Sequence, residues 1–136
     1  MRSVTRGACA GEGAVEQREA PVDVTALMAR LGGDTDLLGE LVPLYFEDET
    51  EQLDRLAAAL DRGDAEGVRR AAHAIKGCVS NFSASRAQAA ALAVETAGRG
   101  GNLADAAGLL PALRLELAAV RAALRELTKE NVEGTT

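Results

Sequence analysis

Apolar residues recur along the chain at steps of three and four, the period of one helix face, and short polar clusters interrupt that rhythm. Gly32-Gly33, Arg62-Gly63-Asp64, Ser83-Ala84-Ser85 and Gly98-Arg99-Gly100-Gly101 separate five helical segments, one short and four long. The first, about residues 22–31, carries Val24, Leu27, Met28 and Leu31 on one face and is too short to stand alone, so it should cap the others. The second starts after Asp34-Thr35 and reaches about Asp61, with Leu38, Leu41, Tyr45, Leu53, Leu56 and Leu60 in phase. Pro43 inside it predicts a kink or a late start. The third opens at Asp64, a good N-cap, and runs to about Phe82 with Val68, Ala72, Ile75, Val79 and Phe82 as the clearest stripe in the chain. The fourth begins between Ser83 and Ser85, where Ser85 and Gln88 form a capping box, and stops at the Gly98–Gly101 cluster. Its face is mostly Ala with Leu92 and Val94, which lets neighbouring helices approach closely. The fifth opens at Asn102 and carries Leu103, Ala106, Leu110, Leu113, Leu117, Val120, Leu124 and Leu127, with a kink expected at Pro111.

No segment alternates with the period of two that marks a strand, so the fold class is all-α. Connections of about two to five residues make consecutive long helices antiparallel neighbours. The expected architecture is an antiparallel up-down-up-down four-helix bundle with a short additional N-terminal helix. It occupies residues 21–129, between a flexible N-terminal tail at 1–20 and a flexible C-terminal tail at 130–136. Ala and Leu dominate the 47% of apolar residues, there is no Trp, and the aromatics are Tyr45, Phe46 and Phe82, a composition of packed helices.

Charge removes several functions from consideration. A net charge of −6 is the wrong sign for neutralising nucleic-acid phosphates or an anionic membrane. No apolar run approaches the roughly 20 residues that span a bilayer, and the N-terminus lacks a signal-peptide core. The expected compartment is therefore the cytoplasm. Cys9 and Cys78 are isolated and read as free thiols, Cys78 as a small half-buried hydrophobe. The acidic run Glu47-Asp48-Glu49-Thr50-Glu51 reads as a solvated helix face.

His73 is the only histidine. A zinc or di-iron site needs several converging ligands, and a Cys–His or Ser–His–Asp nucleophile needs a base with an orienting group. Neither can be assembled here, so no metal and no bound cofactor are expected. A Gly-rich loop followed by Lys-Ser/Thr is also missing, so the chain should neither bind ATP nor phosphorylate itself. It reads as a non-enzyme.

On the third helix His73 falls one position off the core stripe and should face outward. Arg69 and Arg70 lie one turn before it, Lys76 and Gly77 one turn after, and Ser80 two turns after. Gly77 in mid-helix costs about 1 kcal/mol relative to Ala, a cost that makes sense if a side chain there would block an approaching partner. The group suits a phosphoryl acceptor, because an imidazole in water is largely neutral near pH 7 and nearby cations offset the charge of the transferred group. Arg70 fits a phosphate or docking contact as well as a solvated cation, Arg69 reads as a solvated cation, and Ser80 as a small polar residue on the same face.

The run Arg70-Ala-Ala-His73-Ala-Ile-Lys76-Gly77, followed by Asn81-Phe-Ser-Ala84, resembles the signature of histidine-containing phosphotransfer (HPt) domains, Ala-His-x-Leu-Lys-Gly followed by Asn-x-Gly-Ala. Val94-Glu95 and Arg99-x-Gly101 resemble the end of that family's next helix, and the resemblance spans about residues 22–127. Ile75 replaces the usual Leu and Ser83 the usual Gly, which should alter how the third helix ends. The resemblance implies that His73 is the phosphorylated residue, Lys76 the positive neighbour of the phosphoryl group, and Gly77 the clearance for a docking partner. It further implies a phosphocarrier that accepts from a receiver-domain aspartyl-phosphate and passes the group to another response regulator. A hybrid histidine kinase would lie upstream, and Mg²⁺ would be held by the receiver. A monomer is expected, and Met1 with the polar tail fits a stand-alone protein. The competing expectation is a helical interaction module that binds a receiver domain and sequesters it without accepting phosphate.

Overall fold

Three aspartates begin three helices. The carboxylates of Asp23, Asp34 and Asp64 accept hydrogen bonds from the backbone N–H groups of Ala26, Leu37 and Gly67 at 3.1, 2.9 and 2.9 Å. Each pairs a donor that the first helical turn leaves unsatisfied. They open α1 (Val24–Arg30), α2 (Thr35–Arg62) and α3 (Ala65–Ser80), which α4 (Ser85–Arg99) and α5 (Leu103–Thr135) follow. Asn102 starts α5, accepting from the Asp105 backbone at 3.0 Å and donating to its carboxylate at 2.9 Å. The computed structural model describes residues 20–135, and side-chain surroundings over 20–129. The expected N-terminal tail, but for its last residue, and Cys9 lie outside them. Among the described residues there are five helices and no strand, and no helix is long and apolar enough to cross a membrane.

Helices α2 to α5 each pack on the next, and α5 returns to α2. The stripes of α2, α3 and α5 meet as expected: Leu38, Leu56, Val68, Ile75, Val79, Leu113, Leu117 and Leu124 are all buried. The short α1 closes one end through buried Leu27, the Asp23 N–H to Ser83 carbonyl bond (3.0 Å) and the Arg30 guanidinium on the Ser80 carbonyl (2.8 Å).

Several expectations need correction. Pro43 does not delay the start of α2, which opens at Thr35 and runs on through it, as α5 runs on through Pro111. Both prolines and the residues four positions earlier, Gly39 and Ala107, are exposed, so the carbonyls they leave unpaired face water. Leu92 points outward, and the buried stripe of α4 is instead Ala87, Ala91, Val94, Glu95 and Gly98. The helix ends at Arg99 with Gly100 as its C-cap, within the expected Gly98–Gly101 cluster, and Gly98 belongs to the buried stripe: a Cβ there would meet the Arg69 backbone nitrogen at 2.9 Å and Val68 Cγ1 at 3.0 Å. The acidic run is not wholly solvated either. Glu49 is buried, accepting from Tyr45 Oη and from Arg121 Nε at 2.7 Å. Burial and then the Glu49 contact push the Tyr45 phenol well above its usual range. Helix α5 also continues past Leu127 to Thr135, through the stretch read as a tail, because no Gly or Pro intervenes before Gly134.

The Ser85–Gln88 box does not cap α4. The N-cap is Ala84, without a side-chain bond, and Ser85 is already helical. Ser83 has φ +55°, the only positive φ among the described non-glycine residues, and its Oγ is buried without a hydrogen-bond partner. Ser83→Gly should therefore stabilise the fold by about 1 kcal/mol, read as a higher denaturant midpoint with an unchanged slope.

Candidate functional site

The third helix presents His73 at the surface because its core stripe passes through Ala72 and Ile75 on either side, both fully buried. The imidazole is 61% exposed, yet one of its nitrogens is fixed. His73 Nδ1 lies 3.0 Å from Oε2 of Glu95, a carboxylate on α4 whose side chain is 1% exposed. Lys76 Nζ reaches the other oxygen of the same carboxylate at 2.9 Å, and Arg99, one turn along α4, reaches Oε2 at 2.8 Å. One buried anion thus gathers an imidazole and two cations. Burial alone would push the Glu95 carboxyl up, but hydrogen bonds from Lys76 and His73 outweigh it and hold the group below the usual carboxylate range.

A carboxylate only accepts, so the His73 contact requires the proton on Nδ1 and leaves the lone pair of a neutral ring on Nε2. The arrangement offers an oriented nitrogen nucleophile with a lysine and an arginine on one side, and Gly77 one turn further along α3. A Cβ at Gly77 would meet nothing within 4 Å, so the glycine serves no internal contact and leaves open surface beside the ring.

The remaining residues singled out from the sequence are placed elsewhere. Arg69 is engaged by Glu66 through two hydrogen bonds of 3.0 and 2.6 Å. Arg70 is turned away from Glu95: it lines the groove between α2 and α3, with Glu66 3.9 Å from its Nε. Ser80 Oγ donates back to the Gly77 carbonyl at 2.8 Å. Cys78 is a half-buried free thiol whose pKa is raised chiefly by burial, in keeping with a packing role.

Glu95 is the functional residue that the periodicity did not single out, although the resemblance passed through it. A signal was available: it stands four residues after Ala91 and three before Gly98, a charge on an otherwise small and apolar stripe. A buried carboxylate has to be paired, and the neighbouring helix was the place to look for its partners.

Comparison with known proteins adds independent findings. The family model for the Hpt domain matches residues 40–123. Among solved structures, histidine-containing phosphotransfer protein B (HptB) from Pseudomonas aeruginosa PAO1 is similar, with a TM-score of 0.75 and 29% identity, over 80% of this chain and 95% of that one. No curated protein sequence matches.

Proposed function

The chain belongs to the Hpt domain family, and from that premise we propose that it takes a phosphoryl group from a receiver-domain aspartyl-phosphate onto Nε2 of His73 and passes it to a second response regulator. The observation that carries this reading is the exposed imidazole whose other nitrogen is held by buried Glu95. In the step itself, Nε2 attacks phosphorus, the N–P bond forms, the bond from phosphorus to the aspartate oxygen breaks, and the aspartate leaves as carboxylate. The ring keeps its Nδ1 proton and becomes cationic, a charge that Glu95 offsets at 3.0 Å. Lys76 is close enough to turn from Glu95 toward the phosphoryl oxygens. Mg²⁺ belongs to the receiver in this scheme, and a hybrid histidine kinase supplies the phosphate. The protein acts as a cytoplasmic monomer without kinase activity of its own. The short connections at 63–64, 81–84 and 100–102 support an up-down-up-down order of the four long helices.

The test is to mix the purified protein with a radiolabelled phosphorylated receiver and Mg²⁺. Label should move to the protein and be acid-labile and base-stable, as expected of a phosphoramidate. Stable binding of several receivers without any label would replace the carrier by a sequestering module.

Gly77 supplies a separate prediction. Gly77→Ala meets no atom of this chain and improves helix propensity, so stability should rise by about 1 kcal/mol. A methyl forced into a packed contact costs about 1–3 kcal/mol, so transfer from the receiver should fall by about tenfold or more. Thermal unfolding and initial labelling rates would thus move in opposite directions, which a purely internal role of Gly77 would not produce.

A further inference from the structure

Beside the phosphoacceptor, on the flank of α3 away from Glu95, a groove of about 420 Å³ runs between α2 and α3. Ala58, Ala71 and Ala74 leave it unfilled, and Arg55, Arg62 and Arg70 line it. Ala74 follows His73 directly and Arg70 precedes it by one turn, so the groove runs along α3 beside the position of His73. Three guanidiniums in one groove stand out on a chain whose net charge is −6. All three are well exposed, at 63, 60 and 68% of their side chains, and each faces a carboxylate, of which Asp64, the N-cap of α3, also lines the groove. Arg55 pairs with Glu51 and Arg62 with Asp64, while Arg70 lies 3.9 Å from Glu66. Exposed pairs of this kind contribute little to stability and exchange readily for a better anion. Arginine is also the side chain suited to gripping carboxylates in pairs.

Resting on the phosphotransfer reading, we propose that this groove is where the chain selects its receiver domain: Arg55 and Arg70 grip an acidic segment beside the receiver's phosphoaspartate. Gly77 lies on the same flank of α3 as Arg70 and Ala74, so a domain seated in the groove also covers the open surface there. The arginines set the orientation in which the aspartyl-phosphate meets Nε2. They determine partner choice and encounter rate rather than the chemical step.

The experiment is phosphotransfer from a set of purified receiver domains of differing surface charge, each titrated against wild type, Arg55→Glu/Arg70→Glu and Arg55→Lys/Arg70→Lys at low and high salt, with affinity measured on the same samples. For receivers that are acidic beside the phosphoaspartate, the Glu variant should need at least tenfold more receiver for half-maximal labelling, and its salt dependence should flatten. The Lys variant should recover most of the loss. Circular dichroism checks the fold, and Arg55→Ala/Arg70→Ala should show a smaller loss of the same sign if the Glu variant is unstable. A Glu variant that matches wild type in half-saturation and salt response, for every receiver that labels wild type, overturns the proposal while leaving the carrier reading intact. A wild type that binds receivers but takes no label ends the carrier reading instead, and the groove is then decided by whether the Glu variant loses affinity.

Discussion

His73→Gln is expected to reduce label uptake from a phosphorylated receiver to background while leaving the fold and receiver binding in place. The ring is mostly exposed and, among the described residues, is held by Glu95 Oε2, so little packing is lost when an amide of similar length replaces it. The Gln amide can still donate to Glu95, which keeps the buried carboxylate paired. What disappears is the nitrogen lone pair. An amide nitrogen is not a nucleophile toward phosphorus, and no other histidine exists to take over. Labelling, thermal unfolding and affinity for the receiver should be measured on one preparation. Background labelling with intact binding is the outcome that the carrier reading requires, and a variant that still accepts acid-labile phosphate would remove His73 from the mechanism.

Glu95→Gln should produce the second largest effect, and on two quantities together. The buried carboxylate holds Lys76 by an ion pair and His73 and Arg99 by hydrogen bonds, and charge-assisted hydrogen bonds each contribute about 1.5–3 kcal/mol. The amide keeps the shape and loses the charge, and Lys76 and Arg99 can turn toward solvent, so a net loss of about 1–3 kcal/mol is expected. Labelling should fall by about tenfold or more, because the Gln side chain can donate as well as accept and no longer fixes the proton on Nδ1. The sign of the pH effect follows from the depressed carboxyl. The stabilisation is complete above the ordinary glutamate pKa of about 4.3 and is lost as pH falls through the lower value of the folded state. Wild type should therefore lose more stability than Glu95→Gln on acidification below about pH 4.3. Parallel stability curves across that range would show that Glu95 carries no net charge interaction in the folded protein.

How far the chain could be read in advance depended on contrast between faces. Helices α2, α3 and α5 set Leu, Ile and Val against charged residues, and spacing alone placed the stripes of α3 and α5 and, in α2, buried Leu38, Tyr45 and Leu56, while Val42 and Ala59 beside them were missed. The position of His73 followed from the α3 stripe in the same way. Helix α4 was read less well, because alanines occupy both its faces and an exposed Leu92 drew the stripe out of phase. Glu95 fell on the misassigned side, and only the meeting of α3 with α4 reveals what it holds. Glu49 was hidden differently. It sits within a run of acids that looks uniformly solvated, and its partner Arg121 lies 72 positions further along. Pairings between distant residues leave no local trace. The placement of Arg70 depended on which neighbouring helix its flank would face, a property of the assembled helices rather than of α3.

Gly98 gives the site a fulcrum. The missing side chain lets α4 rest almost directly on the backbone of α3 at Arg69, one turn from the level at which Glu95 meets His73. Helices behave as stiff rods over such a distance, so the gap at the resting point governs the reach at the tip. Widening it by a methyl would lever the carboxylate away from the imidazole without altering His73, Lys76, Glu95 or Arg99. The hold of Glu95 on the imidazole can thus be retuned from a position with no chemistry of its own, as the pitch of a string is set at the bridge.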